Sequence, residues 1–287
     1  MRAATLAFAL VVLAPCAARA EPFALPQSEL PEMHEGHWRS EEARPFMALR
    51  LDAGYLYLKP RVSFGWGKPF NMWGGVDLVP TVTPDATTEY GGLRLQLDWF
   101  ELRAGARFVH GFSRQYLPQQ PSYSLVDLSE DFHRVSNYVA FEAEATAAIP
   151  AGPGNILALA TAESIQFVPA MTNVFDETLH VVVDPPQVYR ARLGYSLILG
   201  REKTGRLGLL VEGIEIPDRH AQVFRVGLTG SFDIDDHLQF VATVMIPIIT
   251  PDSLGLLGAD YTELGIRWRW ATGHTHGVPR ERLPGEQ

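Results

Sequence analysis

From Phe46 onward the chain alternates apolar and polar positions with a period of two, and it keeps that period almost to its end. Met47, Leu49, Leu51, Ala53, Tyr55 and Tyr57 share one parity, with Arg50, Asp52 and Gly54 on the other. Val62, Phe64 and Trp66 oppose Arg61, Ser63 and Gly65, and Leu93, Leu95, Leu97 and Trp99 oppose Arg94, Gln96 and Asp98. Further along, Leu102 to Phe108 opposes Glu101, Arg103 and Arg107, and Val139 to Ala147 opposes Glu142 and Glu144. Successive side chains of a strand point to opposite faces, so this pattern predicts two-faced β-strands of about ten residues. "ILALATAESIQFV" and "LGLLVEGIEI" are ambiguous in parity, which leaves their facing open.

The count is about eleven or twelve strands. Twelve results if "FMALRLDAGYLYL", "RVSFGW" and "FNMWGGVDL" are three separate strands; ten is the alternative if the first is not in the wall. Connections alternate between short ones (98–100, 150–155, 200–206, 233–237) and mostly longer ones (79–88, 111–133, 169–186, 250–259).

Composition changes the picture only in part. The chain has 287 residues, is 46% hydrophobic and has a mean hydropathy of −0.01, so the distribution of apolar residues carries the information. A net charge of −9 argues against nucleic acid as a partner. Residues 1–20 read as an export signal: Arg2, an apolar core "ATLAFALVVLA", and "ARA" before Glu21. Cys16 would leave with it, so the mature chain would hold no thiol for disulfides or metal. No stretch is long and apolar enough for a membrane helix. Residues 21–45 read as a flexible leader, 46–271 as one all-β unit, and 272–287 as a polar tail.

Two features set the direction of the apolar face. Aromatic residues gather near strand ends (Tyr55, Tyr57, Trp66, Trp99, Phe108, Tyr189, Trp268, Trp270), as they do in interfacial girdles. The polar parity combines Gly, Ser and Thr with charges of both signs, which suits a narrow interior better than a solvated face. With the aromatic-terminated "LGIRWRW", these features make residues 46–271 resemble bacterial outer-membrane β-barrel proteins, a porin-like class. The resemblance implies an antiparallel transmembrane barrel and, as partners, the lipid bilayer and lipopolysaccharide. The polar tail after Trp270 departs from the class, which commonly ends on that aromatic.

The polar parity then gives the candidate lumen lining: Arg50, Asp52, Arg61, Asp77, Arg94, Asp98, Glu101, Arg103, Arg107, Glu142, Glu144, Arg190, Arg192, Arg225, Glu263, Arg267 and Arg269. Rings of one sign would select ions. Near-balance of signs favours pairing in a narrow or plugged lumen, because an unpaired buried charge is costly. The leading expectation is passage or binding of small solutes. The alternative is a non-conducting component of an envelope assembly, binding other envelope proteins. A lipid-modifying hydrolase is a third reading, with His110 and Ser113 in "FVHGFSRQY" as its best pair, but their spacing does not match the His-x-Ser arrangement of lipid A deacylases. Asp235, Asp236 and His237 in "DIDDH" read as a solvated turn. His34, His37, His274 and His276 are weak metal candidates, and neither a catalytic residue nor a cofactor is expected.

Overall fold

The computed structural model describes residues 41–273, apart from 55, 113–115, 129–134, 201–204 and 261–263, together with 26, 27, 30, 31 and 38. The expected signal 1–20 and most of the tail lie outside the described residues.

Twelve strands form one closed barrel. They are β1 (Arg44–Gly54), β2 (Leu58–Gly67), β3 (Trp73–Val82), β4 (Ala86–Gln96), β5 (Phe100–Gly111), β6 (Asn137–Ala151), β7 (Gly154–Gln166), β8 (Gln187–Leu199), β9 (Gly205–Ile216), β10 (Ala221–Asp233), β11 (Leu238–Ile249) and β12 (Gly265–Ala271). Each pairs antiparallel with its neighbours in sequence, and β12 closes on β1 from Gly265↔Gly54 to Ala271↔Ala48. Closure gives every strand a neighbour on both sides, the condition for placing strand backbone in lipid; the β11–β12 ladder is the shortest, from Leu238↔Trp268 to Val241↔Gly265. The three-strand reading of the N-terminal pattern therefore holds and the ten-strand alternative does not.

Alternation becomes inside and outside. Along β9 the burial pattern runs buried–exposed without interruption from Arg206 to Ile216. Outward positions carry Phe64, Leu93, Leu193, Leu209, Leu228 and Ile266, all exposed. In a soluble protein so large an apolar surface would be a liability; around a barrel it is the lipid-facing belt. Trp66, Trp99, Trp268 and Trp270 lie at the end that carries both termini, and Phe108 and Tyr189 at the other. Tyr57 sits in the turn after β1 rather than in a strand, and Tyr55 is outside the described residues.

Three long connections, 112–136, 167–186 and 250–264, all emerge at the end opposite the termini, which is called the loop end below. Two boundaries differ from the sequence reading. The expected loop 79–88 shrinks to the turn 83–85, because Pro80 and Glu89 are paired within the β3–β4 ladder. The barrel begins at Arg44. In the leader, Pro26–Gln27 pairs with Leu30–Pro31 and lies against β5 and β6, and Trp38 is 1% exposed and packs with Phe46, Phe70 and Trp73. Its indole Nε1 donates to the Asp236 carbonyl at 2.9 Å, fixing an apolar floor at the terminal end. After β12, Thr272 continues the closing seam, its N–H donating to the Met47 carbonyl.

Two facing glycines illustrate why the polar parity needs small residues. Gly92 and Gly105 are directly opposite on β4 and β5, and the Tyr90 ring lies over both. A Cβ on Gly105 would stand 2.4 Å from the Gly91 carbonyl and 2.8 Å from that ring. Arg103 lies over the other side of the ring, 5.4 Å from its centroid.

Candidate functional site: a filled lumen under a loop cap

The inward parity delivers the expected charges to the interior and pairs them. Arg50, Asp52, Arg61, Asp77, Arg94, Glu101, Arg107, Glu142, Glu144, Arg190, Arg192, Arg225, Arg267 and Arg269 are all between 1% and 6% exposed. Arg103 is half-buried. Asp98 departs from the expectation: it falls in the turn Leu97–Trp99, where the ladder ends and the chain reverses, so it is not on the wall. Glu263 lies outside the described residues.

Register decides the partners. On the β12–β1 seam Arg267 faces Asp52 directly, and its Nε donates to Asp52 at 3.0 Å. Arg50, two residues before Asp52 and on the same face, shares that carboxylate at 2.8 Å. Arg269 reaches Gln239 on β11 at 2.8 Å. Across β2 to β5, Arg94 bridges Asp77 at 2.6 Å and Glu101 at 3.3 Å, while Ser63 donates to Asp77 at 2.6 Å. Arg103 holds Glu144 at 2.9 Å, and Arg190 approaches the same carboxylate at 3.3 Å. Most of the charges removed from water thus meet an opposite one, the arrangement that makes such burial tolerable; Arg61, by contrast, stands directly across the ladder from Arg50.

Three wall arginines extend the network upward into the loops. Arg107 binds Glu142 and Glu163 on the wall and Asp176 in the 167–186 loop. Arg192 joins Glu212 at 2.6 Å to Asp260 in the 250–264 loop at 2.8 Å. Arg225 joins Glu212 at 2.9 Å to the carbonyls of Leu179 and His180 at 2.8 and 3.0 Å. Near the rim, Arg219 pairs with Asp252 and donates to the carbonyls of Val182 and Pro121, holding three outer connections together.

These anchors pull the loops down onto an apolar layer inside the wall. Val109, Tyr138, Ile165, Val188, Ile214 and Val223 point inward and pack on Val174, Leu179, Val181 and Val183 of the 167–186 loop. A second cluster above it unites Leu117, Tyr123 and Leu128 with Phe175, Val182 and Leu254. The loops carry their own small sheet, with Thr172–Asp176 pairing both Val181–Val183 and Leu117–Pro118. The barrel is capped at the loop end and floored at the terminal end, with a charged, paired layer between. A concavity of about 1280 Å³ is lined mostly by outward residues such as Leu93, Leu102 and Phe224, together with the inward Arg94, Arg103, Glu144 and Arg190. Small outward residues on β5 to β8 shape it, among them Ala104, Ala143, Ala160 and Ala191.

Asp176 and His180 are among the loop groups that are electrostatically perturbed. Burial alone would raise the Asp176 carboxyl, but Arg107 and the backbone N–H groups of Leu179 and Thr178 outweigh it and hold it below the usual range. Burial lowers His180, against opposing contributions from Asp260 and from the Leu257 carbonyl, which accepts from Nδ1 at 3.0 Å.

The residues missed by sequence reasoning have a common origin. Glu163 and Glu212 sit on the two strands of undecided parity, whose inward faces turn apolar near the cap (Ile165, Ile214, Ile216). Asp176, Asp252 and Asp260 come from loops, where period two says nothing. Of the groups weighed for chemistry, the described ones make structural contacts. Asp235 accepts from the N–H groups of His237 and Leu238 and closes the β10–β11 turn. His237 Nδ1 donates to the Arg269 carbonyl at 2.9 Å. His110 contacts Asn137, while Ser113 and the four terminal histidines lie outside the described residues.

No protein-family model matches the chain, and no curated protein does. Among solved structures it is similar to the KdgM porin, at 9% identity and a TM-score of 0.38, over 79% of this chain and 96% of that one. It is also similar to the NanC porin, at 8% identity and 0.37, over 79% and 98%. A third is OmpT, an outer membrane protein of Vibrio cholerae, at 8% identity and 0.32, over 80% and 100%. The chain is a porin-like transmembrane β-barrel. That statement rests on its own closed wall, apolar belt and aromatic ends.

Proposed function

We propose that this protein is a closed, non-conducting barrel of the outer membrane that serves as a structural component of a cell-envelope assembly, with the loop cap as its working face. The carrying observation is the burial of the lumen charges: Arg50, Arg94, Arg192 and Arg267 are each 2–3% exposed, whereas a water-filled pore would leave its lining wet. The cap itself is a packed unit and exposes Leu125, Val126 and Leu256, which suits contact with another envelope component. Lipid and lipopolysaccharide would surround the belt.

A second reading, passage of small solutes, is favoured by the way the cap is held. Its loops are joined to the wall by Arg107–Asp176 and Arg192–Asp260, ion pairs that can be broken without unfolding the strands. Conductance of the refolded protein in planar bilayers separates the two. The closed reading expects no discrete steps at neutral pH. Stable single-channel steps from the unmodified chain would overturn it and establish the pore.

A further inference from the structure

The rim of the barrel holds a second cavity, beside the loop–wall contacts of Arg225, Val181 and Val223. It measures about 410 Å³ and opens where the cap meets the wall between β10 and β11. That size falls within the usual range for small-molecule sites. Its origin is in the backbone. Phe224 pairs with Ile249 but Arg225 pairs with Pro247, so β11 carries one extra residue and the ladder bulges. Pro247 has no N–H with which to close the gap. Opposite it, Gly258 contributes no side chain, and a Cβ there would meet only Leu254 at 3.4 Å and Pro247 at 3.9 Å.

The lining divides by chemistry. The walls are apolar, from Val181, Val223 and Leu254. The polar residues that line it are Arg225, His180, Asp252 and Thr250, whose hydroxyl accepts from the Asp252 N–H. Arg225 is 1% exposed; its two terminal nitrogens are used by Glu212 and by two loop carbonyls, while its Nε is buried with no hydrogen-bond partner. A buried donor left in this state is a standing demand for an acceptor. Ile246, exposed on the outer wall, and Leu256, 82% exposed, also line it. A molecule entering from the outer interface would place its tail on Val181 and Val223 and its head toward Arg225.

The charge of that head follows from the surroundings. Arg225 and Arg192 are met by Glu212 and Asp260, and Arg219 by Asp252, so the neighbourhood is already balanced. An anionic head would add an uncompensated charge in a poorly hydrated site, and a cationic head would find no free acid. We propose that this cavity binds a neutral amphiphile, an acyl amide or ester of medium chain length, whose carbonyl accepts from Arg225 Nε. The site is independent of whether the lumen conducts.

The test uses the full chain in lipid nanodiscs, with octanamide and octanoate titrated calorimetrically against empty nanodiscs as the blank. Octanamide is expected to bind saturably at one site per chain, with octanoate at least tenfold weaker. Gly258→Phe, which fills the cavity without touching the ion pairs, is expected to weaken octanamide at least tenfold. If that variant loses its unboiled gel mobility, Gly258→Leu replaces it, and the amide-over-carboxylate order stands as a separate readout. Absence of saturable octanamide binding, octanoate binding as tightly, or unchanged affinity in a folded Gly258 variant would each overturn the proposal.

Discussion

Arg107 on β5 and Asp176 in the 167–186 loop lie 3.4 Å apart, 69 residues from each other in sequence, and through this pair the cap is bound to the charged filling of the barrel. The same carboxylate accepts from the backbone N–H groups of Thr178 and Leu179 at 2.8 and 2.9 Å and from Tyr138 at 3.1 Å. One residue therefore shapes the loop turn and ties it to the wall.

Asp176→Ala should release the cap while leaving the wall intact, since Arg107 retains Glu142 and Glu163. Breaking a buried ion pair on one side costs about 3–5 kcal/mol. Backbone amides of residues 174–183 should lose about a hundredfold or more of their hydrogen-exchange protection. Unchanged protection of that segment would show that the apolar layer alone holds the loop.

The cap should also loosen in acid. His180 is depressed by burial below its ordinary value of about 6.5, so the released loop takes up a proton before the docked loop does. The stabilisation is then fully present above about pH 6.5 and falls as the pH drops toward the docked value. Asp176, also depressed, adds a loss of the same sign at lower pH, below about 3.9. Protease nicking within 167–186 should be faster at pH 5.5 than at pH 8, and His180→Gln should flatten that difference. A loop cut equally fast at both values would remove His180 from the account.

Gly105→Val should damage the wall rather than the cap. Its new Cβ would meet the Gly91 carbonyl, which cannot retreat without breaking the β4–β5 ladder, and the Tyr90 ring. Overpacking of this kind costs about 1–3 kcal/mol. The temperature at which unboiled gel mobility is lost should fall by several degrees, whereas Gly213→Ala, with nothing within 4 Å of its Cβ, should leave it in place.

Trp38→Ala tests the floor. The ring stacks edge-on against Phe70, with centroids 4.8 Å apart, and its N–H is bonded to Asp236. Removing a buried Trp costs about 3–5 kcal/mol, and here the loss should be confined to the terminal end. Hydrogen exchange should rise at 68–72 and 234–237 and stay unchanged at 174–183. A rise at both ends would mean that floor and cap unfold together.

Much of this protein is legible from period two alone. Because side chains alternate across a strand, the sequence by itself determined the β class, which residues face lipid, which charges face inward, and the aromatic ends. It also placed Arg267 and Asp52 on the same face. What it did not contain is register and loop placement. A parity names the face but not the partner: Asp52 is shared by Arg267 across the seam and by Arg50 on its own strand only because Gly265 pairs with Gly54. Glu163 and Glu212 stayed ambiguous because the inner wall near them is apolar, and it is apolar because a loop packs there. Which wall arginines meet loop partners was decided by the tertiary structure, since Asp176 and Asp260 reach them from loops in which no periodicity exists.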